Sequence, residues 1–202
     1  MDNDIQPILD VIDGYKPDSS WLFAEIGSRT GDVTQYMYDT YGCRCVGIEP
    51  DGEWYRTFRH AVIGKPISAF WGAVGSQEGS VWYQRTENED GEIGGNIVDW
   101  VSYKSVVARY EVPSYTWNSF VRDCCWDFAP DILLMDCEGA ETTIVPQIQD
   151  SKVKPKRILI EWHTACYGNT TRDQLIEKLE PYYEHRKVYY QQDAIYGEFI
   201  RK

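Results

Sequence analysis

Two short stretches of this sequence combine acids and glycines at spacings that could do chemistry. The first is Glu25-Ile26-Gly27-Ser28-Arg29-Thr30-Gly31. It reads as a strand end, a turn glycine, and a second glycine opening a helix. The free amides at such a helix start can hold a carboxylate, while Glu25 could attract an amino group. Ser28, Arg29 and Thr30 would line the same turn. Glu49-Pro50 follows, with Glu49 placed 22 residues after Gly27 and suited to bind the two hydroxyls of a ribose. An amino acid joined to a nucleoside would satisfy all three features, and S-adenosylmethionine is such a molecule. A dinucleotide loop needs a further glycine two residues after Gly27 so that backbone can approach a pyrophosphate. Arg29 occupies that position, which counts against NAD and FAD. No GxxxxGK[ST] phosphate loop is present either.

The second stretch is Asp136-Cys137-Glu138-Gly139-Ala140-Glu141. Gly139 allows a tight turn into a helix, and Glu141 in the first helical turn suits the helix dipole. Asp136 and Glu138 have the better claim to face a site. Glu161-Trp162-His163 ends another apolar run. His163 is the first candidate for a general base, because an imidazole near its free pKa matches neutral pH. Asp136, Glu138 or Glu161 could serve instead, or could orient His163. As a variant, Asp136, Glu161 and His163 offer ligands for Mg²⁺ or Mn²⁺, which could chelate a substrate's oxygens.

These residues need a frame that gathers them. Apolar runs at Trp21–Ile26, Cys45–Ile48, Ile67–Val74, Asp131–Asp136 and Arg157–Trp162 read as buried strands. Helices are expected over Ile5–Ile12, from Gly31 to Tyr41, over Glu53–Ala61, over Ala140–Ile148, and after Thr171. The alternation predicts an α/β fold, a mostly parallel sheet with helices on both faces. Two closing strands, near Arg186–Gln191 and Ile195–Arg201, form an antiparallel edge hairpin. Strands are also expected at Ser80–Gln84 and Val106–Val112, separated by a polar loop, Glu87–Asn96, long enough to be a lid. In an open parallel sheet, ligands bind beyond the carboxyl ends of the strands. Those ends are Glu25-Ile26-Gly27, Glu49-Pro50, Ala73-Val74, Asp136-Cys137-Glu138 and Glu161-Trp162-His163. Four of the five carry a carboxylate, which points to a cationic, hydroxyl-rich or metal-bound ligand.

The length of 202 residues suits one domain, 1–202, which could be one module of a larger glycan-building protein. With 20 Lys plus Arg against 32 Asp plus Glu, the net charge is -12. That surface repels nucleic acid. No apolar run is long enough to span a bilayer, and the acidic start is unlike a signal peptide. Six cysteines without CxxC or framework spacing read as reduced thiols in a cytoplasmic protein. Among the eight Trp and fifteen Tyr, Trp82, Tyr83, Trp100, Tyr103, Trp162 and Tyr167 fall near the expected acceptor loops, where rings could stack on a carbohydrate.

From Trp21 to Trp162 the chain resembles the FkbM family of S-adenosylmethionine-dependent methyltransferases. The resemblance rests on Glu25-x-Gly27-x-x-x-Gly31, on Gly47-Ile48-Glu49-Pro50, and on Gly72-Ala73-Val74-Gly75 followed by Gly79. It continues through Val112-Pro113-Ser114-Tyr115-Thr116-Trp117-Asn118 and is most specific at Asp136-Cys137-Glu138-Gly139-Ala140-Glu141. Arg29 stands where the family usually has Asn, Asn118 where it has Asp, and Met135 where it commonly has Lys. The resemblance implies a class I Rossmann-like methyltransferase fold. It also implies O-methyl transfer, often to sugar hydroxyls of glycans, including 6-deoxyhexoses such as rhamnose or fucose. Two other classes are weighed against it. A metal-dependent phosphoesterase would use the acids but leaves Gly27, Gly31 and Glu49 without a role. A non-catalytic methyltransferase-fold partner of a glycosyltransferase would not need the cofactor loop intact.

Overall fold

The computed structural model describes residues 5–87, 93–97, 105–190 and 193–202. The chain begins α1 (Gln6–Tyr15), β1 (Leu22–Ile26), α2 (Asp32–Tyr41), β2 (Arg44–Glu49), α3 (Gly52–Ala61) and β3 (Ile67–Trp71). Four strands follow: β4 (Ala73–Val74), β5 (Gly79–Glu87), β6 (Ile93–Ile97) and β7 (Ser105–Tyr115). Then come α4 (Trp117–Asp123), β8 (Ile132–Met135), α5 (Glu141–Asp150), β9 (Arg157–Glu161), a 3-10 turn at Thr164–Cys166, α6 (Arg172–Leu179), β10 (Tyr183–Tyr190) and β11 (Asp193–Arg201).

The continuous apolar runs become the central strands because both of their faces are covered. Strand order in the main sheet is β10-β11-β9-β8-β1-β2-β3. The pairs β1–β2, β1–β8, β2–β3 and β8–β9 are parallel. The last two strands form the expected antiparallel hairpin, with β10 on the edge. Side chains alternate across the strands. Leu22, Ala24, Ile26, Leu133, Met135, Ile158 and Ile160 pack with α4, α5 and α6 through Trp117, Phe120, Ile144, Val145, Leu175 and Leu179. Phe23, Cys45, Ile132, Leu134 and Leu159 face the other way, against Ile8, Leu9, Ile12, Val33, Met37 and Phe58 of α1, α2 and α3. Helices therefore cover both faces. At the sheet's opposite end, the buried Asp131 carboxylate accepts the Leu22 N–H at 2.8 Å and pairs with Lys156 at 2.5 Å, pinning the starts of β1, β8 and β9 together.

The chain winds outward in both directions from the β1–β8 pair, so the carboxyl ends of these two strands form the switch point where ligands bind in such sheets. Register brings Ile26 level with Met135 on one side and with Ile48 on the other. The two motifs are therefore adjacent.

Three expectations need correction. Ile67–Val74 is not one strand. It breaks at Gly72, whose φ of 151° few other residues adopt, and Ala73-Val74 crosses into a second sheet of order β4-β7-β5-β6. Nor is Glu87–Asn96 simply a loop. Ile93–Ile97 pairs antiparallel with β5, while residues 88–92 lie outside the described residues. Finally, α4 follows directly on β7 in a stretch read only as a motif. Thr116 and Ser119 form a capping box there.

Candidate active site

A cleft opens at the switch point with about 780 Å³ of atom-free space, counting the part open to solvent. Its walls include Gly27, Arg29, Glu49, Pro50, Ala73, Val74 and Asp136, with Glu138 at its side. A smaller cleft lies across the Gly27–Thr30 turn, beside α1. Glu25, Ser28, Thr30, Asp32 and Glu161 line it, and it shares Gly27, Arg29 and Asp136 with the first.

Gly27 has a φ of 86°, and a Cβ there would overlap the Asp136 carbonyl. The absence of a side chain is what lets β1 and β8 end side by side. Gly31, which starts α2, is likewise pressed against Phe58 rather than open to either cleft. The turn's amides are mostly engaged. Gly27 and Ser28 donate to the Ile48 carbonyl at 3.0 and 3.1 Å, and Arg29 donates to Glu49 at 2.7 Å. A ligand carboxylate therefore has to be met further along, at the start of α2, and not on the turn itself.

Glu49 is buried at the end of β2. One carboxylate oxygen accepts the Arg29 N–H and the other accepts the Asp51 N–H at 2.7 Å. Each oxygen keeps a further lone pair. Burial, opposed by these two hydrogen bonds, pushes its pKa up to about 7. The Arg29 guanidinium lies over the Trp54 ring at 4.9 Å, so the one cation on the first cleft's wall among the described residues is stacked at its side. Glu25 is nearly inaccessible. One of its oxygens takes both the amide and the hydroxyl of Thr34, and burial raises its pKa to about 8.

Asp136, Glu161 and His163 come together, each offering one atom within 4.8 Å of the others. His163 Nε2 faces Asp136 at 3.4 Å and Glu161 at 3.9 Å, and Nδ1 lies 3.0 Å from Glu141. Asp136 is half-exposed. Desolvation by the surrounding walls and the neighbouring Glu161 and Glu138 charges raise its pKa, with His163 opposing. Glu161 is raised by burial, again with His163 opposing. Glu138 stands outside the three-residue cluster, on the first cleft, with a positive φ of 49°.

His163 does not keep its free pKa. Burial alone would lower it, but the Glu141 hydrogen bond and the charges of Glu141, Asp136 and Glu138 push it up to about 10. These neighbours favour the imidazolium form at neutral pH. That corrects the expectation of an imidazole already poised at neutral pH.

The aromatic candidates separate clearly. Tyr83 lines the first cleft, whereas Trp82 is exposed and Tyr167 is buried. Trp162 packs edge-on to Phe199. Trp100 and Tyr103 lie outside the described residues. Sequence reasoning missed Trp54 and Asn96 on the cleft wall and the contact between Glu141 and His163. Trp54 could have been found as the first-turn aromatic following Glu49-Pro50. Asn96 had no local signal.

The sequence profile of the Methyltransferase FkbM domain matches residues 23–189. No curated protein sequence matches the chain. Among solved structures, a TehB-like SAM-dependent methyltransferase from Corynebacterium glutamicum is similar at 10% identity and TM-score 0.52, over 97% of this chain and 88% of that one. Aeropyrum pernix fibrillarin, with natively bound S-adenosyl-L-methionine, is similar at 11% identity and TM-score 0.53, over 92% and 67%. M. capricolum TrmK, in complex with S-adenosyl-homocysteine, is similar at 10% identity and TM-score 0.50, over 100% and 69%. At such identities the likeness establishes the shared α/β fold.

Proposed function

The chain belongs to the FkbM methyltransferase family, and on that premise we propose that it transfers a methyl group from S-adenosylmethionine to a sugar hydroxyl of a glycan, such as a 6-deoxyhexose. The observation that carries this reading is the convergence of Glu49, Gly27 and Asp136 on one cleft, with Glu161 and His163 clustered against Asp136.

The residues fit the cofactor. Glu49 keeps lone pairs for two ribose hydroxyls, and Pro50, Ala73 and Val74 give an apolar wall for a base. Gly27, by letting β1 and β8 end side by side, sets Glu49 and Asp136 on the same cleft. Asp32 and Asp136 suit the ammonium end, with Glu25 buried behind them, and the start of α2, beside Thr30 and Gly31, would receive the carboxylate. When bound, the cofactor supplies a methyl group already activated by a sulfonium. The protein then has to align an acceptor oxygen at roughly 3–3.5 Å from it and take the hydroxyl proton.

His163 is assigned that proton. The surrounding carboxylates favour a positive charge on its ring. A second positive charge arriving next to Asp136 weakens the field that holds the proton, freeing Nε2 to act as base. Asp136 and Glu161 orient the acceptor hydroxyl and Glu138 keeps the cleft electronegative. The acidic rim favours hydroxyl-rich acceptors over phosphorylated ones. A glycosyltransferase partner, supplying the sugar, is consistent with this chemistry. The donor set of Asp136, Glu161 and His163 would also fit Mg²⁺ or Mn²⁺, which would hold a diol and acidify its hydroxyl.

Calorimetric titration with S-adenosylhomocysteine, using NAD as control, tests the cofactor. Transfer of labelled methyl to a panel of free and glycan-linked deoxyhexoses tests the acceptor. Micromolar binding of the first ligand alone, with label on a sugar oxygen, is expected. Absence of binding by folded protein would overturn the reading.

A further inference from the structure

We propose that Glu141 is a positioning residue: its buried carboxylate holds the Nδ1–H of His163, so that Nε2 is the nitrogen presented to Asp136 and the acceptor. The proposal rests on the reading of His163 as the group that takes the acceptor proton.

An acid in the first turn of a helix has an ordinary explanation in the helix dipole, and it can meet that role from the surface. Glu141 does not sit at the surface. It is wholly inaccessible at the start of α5, and burying a carboxylate is costly unless specific partners receive it. One oxygen meets the Cys137 N–H at 3.3 Å, the Cys137 thiol at 3.3 Å and His163 Nδ1 at 3.0 Å. The other oxygen is buried with no hydrogen-bond partner among the described residues. The strongest directed contact of Glu141 is the imidazole, 22 residues away in sequence.

The rest of the hexad serves the same contact. Gly139 has a φ of 106°, and a Cβ there would lie 2.7 Å from Cys166 Cβ. The Thr164–Cys166 turn therefore packs directly on the glycine. Cys166 donates its N–H to the His163 carbonyl at 2.8 Å, which fixes the backbone of His163 next to the start of α5. Asp136 then meets Nε2 from the opposite side. In Asp-Cys-Glu-Gly-Ala-Glu, the first acid and the last acid thus grip opposite edges of one ring, and the glycine makes the approach possible. Fixing one ring nitrogen as a donor decides which nitrogen exchanges its proton with substrate.

Long-range proton–nitrogen correlation spectra of histidine-labelled protein, followed through an alkaline titration, read this directly. There are only three histidines, and the His163→Ala spectrum assigns the signal. The expected result is that Nδ1 stays protonated in the neutral ring while Nε2 loses its proton. Glu141→Gln retains an acceptor oxygen and should keep that pattern, with kcat within a few-fold of the parent. Glu141→Ala should mix the tautomers and lower kcat roughly 10- to 100-fold. Affinity for S-adenosylhomocysteine should stay within about twofold, because Glu141 lines neither cleft. A neutral His163 protonated on Nε2 in the parent would overturn the proposal, and so would unchanged tautomers in Glu141→Ala. A fall in cofactor affinity matching the fall in kcat would reduce Glu141 to a structural role and overturn it as well. The spectra need no turnover, so a protein with no sugar activity would sink the proposed function while leaving the nitrogen assignment to be decided by the spectra.

Discussion

Replacing Glu49 by Gln separates the cofactor role of this carboxylate from its cost to the fold. Both of its oxygens accept backbone N–H groups, from Arg29 and Asp51. A Gln side chain must turn its NH₂ toward one of them, leaving that donor unpaired at a cost of about 1–3 kcal/mol. The charge acts in the opposite sense. Burial raises the Glu49 pKa from 4.5 to about 7, so between those values the folded chain holds a proton that the unfolded chain has released. Stability from this group is fully present below 4.5 and is lost as pH climbs through about 7, by up to about 3 kcal/mol. Glu49→Gln removes that loss. The variant should melt below the parent at pH 5, and the gap should close by several degrees by pH 8, at about 2–4 °C per kcal/mol for a chain of this size. Binding should respond differently. Losing a charged acceptor for the ribose hydroxyls weakens S-adenosylhomocysteine by about 1.5–3 kcal/mol, roughly 10- to 150-fold. Melting curves across pH 5–8 and calorimetry at pH 7.5 check both. Parallel melting profiles would refute the buried-charge argument, and affinity within twofold of the parent would refute the ribose assignment.

His163→Ala should bind S-adenosylhomocysteine as the parent does yet lose at least about 100-fold in kcat; full turnover would move the base role to Asp136 or Glu161. Turnover is expected to be indifferent to EDTA, because His163 already sets a cationic partner between Asp136 and Glu161. Loss on chelation with recovery in Mg²⁺ or Mn²⁺ would assign Asp136, Glu161 and His163 to a metal instead. Gly27→Ala forces a Cβ onto the Asp136 carbonyl at a positive φ and should destabilise the fold by at least about 1–3 kcal/mol, seen as a lower Tm. An unchanged melting point would mean that β1 and β8 can part freely. Thr171→Ala removes the capping box of α6 and should cost about 1 kcal/mol in urea unfolding, without affecting cofactor affinity.

The order of elements was readable along the chain wherever local chemistry sufficed. Continuous apolar runs with acids at their ends became β1, β2, β8 and β9. Gly42 closed α2 in a left-handed conformation, and Thr171 capped α6. The strand-end rule then placed Gly27, Glu49 and Asp136 on one cleft, because a parallel sheet leaves its carboxyl ends on one edge. What local pattern could not carry was any decision made between distant segments. The break at Gly72 arises because β7 offers a partner in a second sheet. Ile93–Ile97 is short, with Gly94-Gly95 at its centre, and forms a strand by pairing with β5 beside it. Tertiary structure also decided the electrostatics of the site. Glu141 reads as a helix-start acid until the fold brings His163 within 3.0 Å of it. Free histidine titrates near neutrality, and only the carboxylates of Glu141, Asp136 and Glu138, gathered around it by the fold, move it to about 10. The sequence determined which residues stand at the rim, since strand periodicity and turn glycines are local. The tertiary structure determined what each can do there, since charge, burial and hydrogen bonding depend on neighbours that the chain brings from far away.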